Sequence, residues 1–211
     1  VAEAALEAHG GGGAHPETST GLPHPKLAMW LFLASDCLLF GALITTYVLY
    51  RGRSVTGPYP ADVFDIPYTS VSSFVLLASS LTMALGVNAI SRGDEGRMRV
   101  WLLTTAMLGT VFIGGQVYEF TTFFTEHGLS LQRNLFGSTF YVLTGFHGAH
   151  VTIGILMLLS LVAISLARRF PTPDHHQPVE LVGLYWHFVD IVWIVIFTVV
   201  YLIPTPNPPG A

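Results

Sequence analysis

Five long apolar stretches constrain this chain more than any other feature. They run over about 27–50, 69–91, 101–124, 136–167 and 180–203. A bilayer's hydrocarbon core of about 30 Å takes roughly 20 helical residues to cross, and each stretch is long enough. The stretches are continuously apolar rather than alternating, which excludes a transmembrane barrel. The sequence therefore predicts an all-α fold, an integral membrane bundle of five transmembrane helices. Composition agrees, because charged residues make up only 10% of the chain, against about a quarter in a soluble domain. The fourth stretch is so long that it must tilt or project beyond the lipid.

The remainder of the chain divides around the bundle. Residues 1–26 form a Gly- and Pro-rich polar tail carrying His9, His15 and His24, read as a flexible, solvated leader. No basic segment followed by a short apolar run and a small-residue site is present, so a cleavable signal peptide is not expected. The bundle spans 27–204 and a C-terminal tail 205–211. The loop 56–68 has Pro and Asp turn signals, and "HHQP" at 175–178 reads as a solvated loop. Cys37 is the one cysteine, so an internal disulfide is impossible, and it reads as a small buried hydrophobe. A net charge of −4 gives no reason to expect a nucleic-acid partner.

Basic residues set the orientation. Lys26, Arg92, Arg97, Arg99, Arg168 and Arg169 fall on one side, and Arg51, Arg53 and Arg133 on the other. The richer side is expected to be cytoplasmic, which puts the N-terminus inside and the C-terminus outside. Trp30, Trp101 and Tyr201 lie near stretch ends, where interfacial aromatics belong.

Polar side chains inside the stretches are the candidate functional residues. His147 and His150 stand three apart in "TGFHGAHVTIG", as do His187 and Asp190 in "YWHFVDIVWIVIF", and Gln116 and Glu119 in "FIGGQVYEF". A spacing of three puts each pair on one helix face. Asp36 lies roughly 14 Å along its helix from Leu27, Asp190 a similar distance beyond Glu180, and His150 roughly 20 Å in from Gly137. All three estimates converge near the membrane midplane, where lipid does not tolerate such groups facing outward. A di-metal centre would need Glu-x-x-His repeats on paired helices, and none occurs. A transporter's proton or substrate path would usually come with repeat symmetry or broken helices, and neither is evident. On physical grounds the favoured reading is structural. The polar groups satisfy one another across helix contacts, with Gly109, Gly114, Gly115, Gly145, Gly148 and Gly154 admitting close approach.

Four passages carry a family resemblance: "MWLFLASDCLLFGALITTY", "FIGGQVYEF", "TGFHGAHVTIG" and "YWHFVDIVWIVIFTVVYLIP". With the spacing between them, the chain resembles subunit III of the haem–copper respiratory terminal oxidases, in its five-helix bacterial form. The resemblance implies an accessory subunit with no catalytic residue and no metal or cofactor of its own, haem and copper being carried by partner subunits. It implies a place in a proton-pumping cytochrome c oxidase of a bacterial inner membrane, beside subunits I and II and a small subunit IV. It implies bound phospholipid, support of proton uptake, and protection of subunit I during turnover. A quinol oxidase of the same superfamily is the alternative, since the donor site lies on other subunits; an independent transporter is a more distant one. Asp36 matches an intramembrane carboxylate that is often Glu in the family. Under the resemblance, Asp36, Gln116, Glu119, His147, His150, His187 and Asp190 line a lipid cleft or form an intramembrane polar network.

Overall fold

The computed structural model describes residues 24–54, 57–132, 134–167 and 176–203. Most of the tails expected at 1–26 and 205–211, including His9 and His15, lies outside the described residues, as do Arg133, Arg168, Arg169 and His175. Among the described residues every regular element is helical. In chain order they are α1 (His24–Tyr50), a short α2 (Pro60–Val63), α3 (Ile66–Ser91), α4 (Glu95–Thr125), α5 (Leu135–Leu166) and α6 (His176–Phe197). A π-helical turn, Thr198–Leu202, continues α6. Five helices are long and apolar enough to cross a membrane. The fifth span, His176–Leu202, takes in both α6 and its π-helical turn, and α2 is a short helix set in the loop before α3.

The spanning helices open ahead of their apolar stretches, because capping rather than hydropathy sets a helix start. The Asp65 carboxylate accepts from the Tyr68 N–H at 3.2 Å, and Pro67 fits the first turn, where no intrahelical N–H partner is needed. Asp94 accepts from the Arg97 N–H at 2.9 Å, so α4 begins at Glu95 with a charged turn outside the hydrocarbon. Asn134 caps α5 by accepting from Gly137 N–H at 2.7 Å, while its own amide donates to the Pro58 carbonyl. Between α3 and α4 the chain reverses through Gly93 at φ +76°, a left-handed residue that lets Gly93 and Asp94 N–H bond back to Ile90 and Ala89. A three-residue reversal of this kind, Arg92 to Asp94, makes α3 and α4 an antiparallel hairpin.

Helix α6 is the hub. It packs on α1, α3 and α5; α4 packs mainly on α3 and α5; α1 packs mainly on α5 and α6. Half of α6's most apolar window is buried, against 17% of α1's, so α1 lies at the edge and turns most of its surface outward. Cys37 follows from that position. It is exposed rather than buried, because its neighbour Asp36 takes the inward face and successive helical residues point about 100° apart.

Trp186 closes the core. It is fully buried, and its indole N–H donates to the Ser79 hydroxyl at 2.9 Å. Its ring lies flush against Gly109 of α4 and Gly154 of α5, where an added Cβ would come within 2.6 and 2.8 Å of it. The other glycines singled out by the sequence divide. Gly115 approaches Tyr68 and Ser72 closely, but Gly114 and Gly145 face open space and bring no helices together. Tyr201 likewise departs from expectation. The π-helical turn rotates it inward, so it is buried in the core and is no interfacial anchor, whereas Trp30 is more than half exposed.

Candidate functional site

The polar side chains picked out by the sequence meet in separate contacts along the bundle rather than in one cluster. The first is between α1 and α5. His150 Nδ1 lies 2.7 Å from the Phe146 carbonyl, which can only accept, so Nδ1 carries a proton and Nε2 is left to face α1. There it stands 3.6 Å from Asp36 Oδ2. Phe40 packs edge-on to the imidazole at 4.9 Å, and Tyr185 of α6 donates to the His150 carbonyl at 2.9 Å. Three helices therefore converge on the Asp36–His150 pair. Both side chains are largely buried although α1 is peripheral.

His147, one turn away, is completely buried. Its Nε2 donates to the Val189 carbonyl of α6 at 3.2 Å, a bond that pins α5 to α6. Its ring lies against Trp193 at 4.8 Å and is met edge-on by Phe112 of α4 at 5.9 Å. Nδ1 has no hydrogen-bond partner.

His187 and Asp190 turn toward α3. His187 Nδ1 is 2.6 Å from the Ser80 hydroxyl. Asp190 is buried with neither carboxylate oxygen hydrogen-bonded. His187 also lines a groove of about 500 Å³ shared with Lys26, Trp30, Val87, Gly183 and Leu184. At the groove's mouth Lys26 and Glu180 form a 2.7 Å ion pair between the N-terminal ends of α1 and α6.

Glu119 and Gln116 part company despite their spacing. Glu119 is buried, with Oε1 2.8 Å from the Thr69 hydroxyl and Oε2 accepting from Tyr201 at 3.3 Å. It joins α4, α3 and the π-helical turn. Gln116 is equally buried, yet both ends of its amide lack partners. It lines a small groove between α4 and α5.

Of the three groups expected at a similar depth, Asp36, Asp190 and His150, two are in contact with each other. Asp36 meets His150, while Asp190 turns toward α3. Sequence reasoning also passed over α3, which supplies most of the partners. Thr69, Ser73, Ser79 and Ser80 answer Glu119, Trp193, Trp186 and His187 in turn. Thr69, Ser73 and Ser80 are spaced by four and seven residues, as on one helix face, with Ser79 beside them, and this hydroxyl stripe in "TSVSSFVLLASS" was the available signal. Among the described residues no three His, Cys, Asp or Glu side chains are placed to hold a metal ion together. What the arrangement does is join helices, with histidine, serine and indole groups each bridging two of them.

Comparison with known proteins extends over nearly the whole chain. Residues 6–204 match the family described as Cytochrome c oxidase subunit III. The cytochrome c oxidase subunit 3 of Thermostichus vulcanus is 38% identical over 183 residues, covering 85% of this chain and 89% of that one. The corresponding Synechocystis protein is 42% identical, over 85% of this chain and 77% of its own length. The cytochrome bo(3) ubiquinol oxidase subunit 3 of Pseudomonas aeruginosa is 37% identical over 196 residues, 93% of both chains.

Proposed function

Because the chain belongs to the cytochrome c oxidase subunit III family of the haem–copper terminal oxidases, we propose that it is the accessory subunit III of a proton-pumping cytochrome c oxidase. In this reading it sits in a bacterial inner membrane with its N-terminus inside. It holds phospholipid and sustains proton uptake and turnover by the haem-bearing subunit I, with subunit II and a small subunit IV completing the complex. Haem and copper belong to those partners.

The observation that carries an accessory role is the distribution of the intramembrane polar groups. Asp36–His150, His147–Val189, Ser80–His187 and Thr69–Glu119–Tyr201 each tie two or three helices together. Groups used in this way hold a scaffold in register. The lipid component is supported by the groove beside Lys26 and Glu180. Its apolar wall of Ala84, Val87, Gly183 and Leu184 suits an acyl chain, and the paired charges at its mouth suit a headgroup. The Pseudomonas relative, which matches over the greatest share of the chain among those described, favours a second reading with quinol as the donor.

The test is affinity purification of this chain from its native membranes. Recovery of a haem-containing partner with oxygen-reducing activity is expected, and a copper-bearing domain in the co-purifying subunit II would assign cytochrome c as donor. Recovery of a lone protein that transports a solute in liposomes would overturn the assignment.

A further inference from the structure

Gln116 is a buried amide that the bundle's own packing leaves unexplained. It sits on α4, about 14 Å along the helix from the outer end at Thr125. That depth is within the hydrocarbon, beyond the reach of lipid headgroups. The residue is 6% exposed, and neither its amide nitrogen nor its amide oxygen has a hydrogen-bond partner. In lipid no solvent makes up the deficit, so an amide kept at such a place needs a donor and an acceptor from elsewhere.

The surroundings show where those would come from. Gln116 lines a groove of about 200 Å³ between α4 and α5, together with Ile113, Val117, Thr144, Gly148 and Thr152. Thr144, Gly148 and Thr152 repeat every fourth residue, the small-residue spacing that lets a neighbouring helix approach closely. Both threonine hydroxyls already donate along their own helix, to Phe140 and Gly148 carbonyls, and so have no proton for Gln116. Gly145 opens onto empty space with nothing within 4 Å of where its Cβ would be. Val117, at the lip, is 59% exposed.

We propose that the α4/α5 groove seats a transmembrane helix of another oxidase subunit, and that this helix presents a hydrogen-bonding side chain to Gln116. The occupant is a helix rather than a lipid because an acyl chain offers neither donor nor acceptor at this depth. A Ser, Thr, Asn or Gln on an apolar helix offers both, and the small residues of α5 admit its backbone. The inference rests on the reading of the chain as an oxidase subunit.

Photo-crosslinking in the purified complex tests it. With Val117 replaced by benzoylphenylalanine, irradiation is expected to join this chain to a different oxidase subunit, identified by mass spectrometry of the adduct. Two further variants, Gln116→Leu and Gly145→Trp, are each expected to lower retention of this chain on the haem-bearing subunits at least tenfold after detergent washing. Their helical circular dichroism should match that of the parent, since the first removes no internal hydrogen bond and the second fills open space. Adducts to lipid alone, to a second copy of this chain or to nothing would overturn the proposal. So would parental retention of both variants. Those results leave co-purification of the parent chain with haem intact, whereas its loss would instead remove the oxidase assignment itself.

Discussion

At the scale of single residues, two kinds of glycine with the same look in the sequence carry opposite consequences. Gly154 lies under the Trp186 ring, where a methyl group would come within 2.8 Å of a fully buried aromatic with no room to move. Gly145, nine residues earlier on the same helix, meets nothing within 4 Å. Gly154→Ala is therefore expected to destabilise the detergent-solubilised chain by about 1–3 kcal/mol, the usual cost of overpacking. Gly145→Ala is expected to be neutral or stabilising by up to about 1 kcal/mol, since alanine is the better helix former. Denaturation followed by circular dichroism distinguishes them, and equal destabilisation by both would mean that the α5–α6 contact is not as close as described. Asp36 is the residue-scale probe of function. Set beside His150 where α1, α5 and α6 converge, it is part of the contact between the peripheral helix and the bundle. Asp36→Ala in the intact oxidase is expected to keep haem and initial rate, to lose bound phospholipid, and to inactivate faster during sustained turnover. Oxygen consumption over many turnovers and lipid mass spectrometry measure these effects. Loss of the initial rate, with subunits and haem in place, would put Asp36 in the chemistry.

At the scale of elements, α3 and α6 are joined by a ladder of side-chain hydrogen bonds. Trp186 donates to Ser79 and Trp193 to Ser73, and each serine hydroxyl donates to a carbonyl one turn back on α3. A serine inside an apolar helix thereby spends its proton locally and keeps a lone pair for the indole. At the far end Glu119 receives Thr69 and Tyr201, and the Thr69 proton is shared with the Asp65 carbonyl 3.0 Å away. Thr69→Val and Tyr201→Phe should each cost about 0.5–1.5 kcal/mol, a typical net hydrogen-bond contribution. The double variant should cost more than their sum, because Glu119 is then buried without any side-chain donor. A double-mutant cycle by chemical denaturation measures the coupling. Strict additivity would show that Glu119 finds another donor and that the π-helical turn is not held by it.

At the scale of the whole molecule, the arrangement of surfaces matters more than any one contact. Only the hub helix α6 is half buried, and α1 shows most of its length to its surroundings. The apolar residues exposed along α1, α4 and α5 include Leu38, Val117 and Leu156, each more than half exposed. Lipid and partner helices are the environment in which such a surface is stable. In the reading proposed above, the groove at Lys26 and Glu180 is the seat for lipid on it. Lys26→Ala combined with Glu180→Ala is expected to lower the phospholipid retained per complex, read by native mass spectrometry, while leaving helix content unchanged. Unaltered retention would separate the groove from lipid binding.

The sequence by itself determined the class and the spans. Five runs long enough to cross the hydrocarbon leave a helical bundle as the outcome, because backbone groups in lipid must be satisfied within each segment. It also determined that Asp36, His147, His150 and Asp190 would be kept from lipid, since exposure there is costly wherever the neighbouring helices lie. It did not determine partners. A spacing of three places His187 with Asp190 and Gln116 with Glu119 on shared faces, but which helix each face meets depends on packing. Ser80, Thr69 and Tyr201 come from segments 107, 50 and 82 residues away from His187, Glu119 and Glu119 respectively. The inward turn of Tyr201, the exposure of Cys37 and the open space at Gly145 were decided at the same level. Periodicity records the angle of a side chain about its own helix axis, and only the tertiary structure sets what stands opposite.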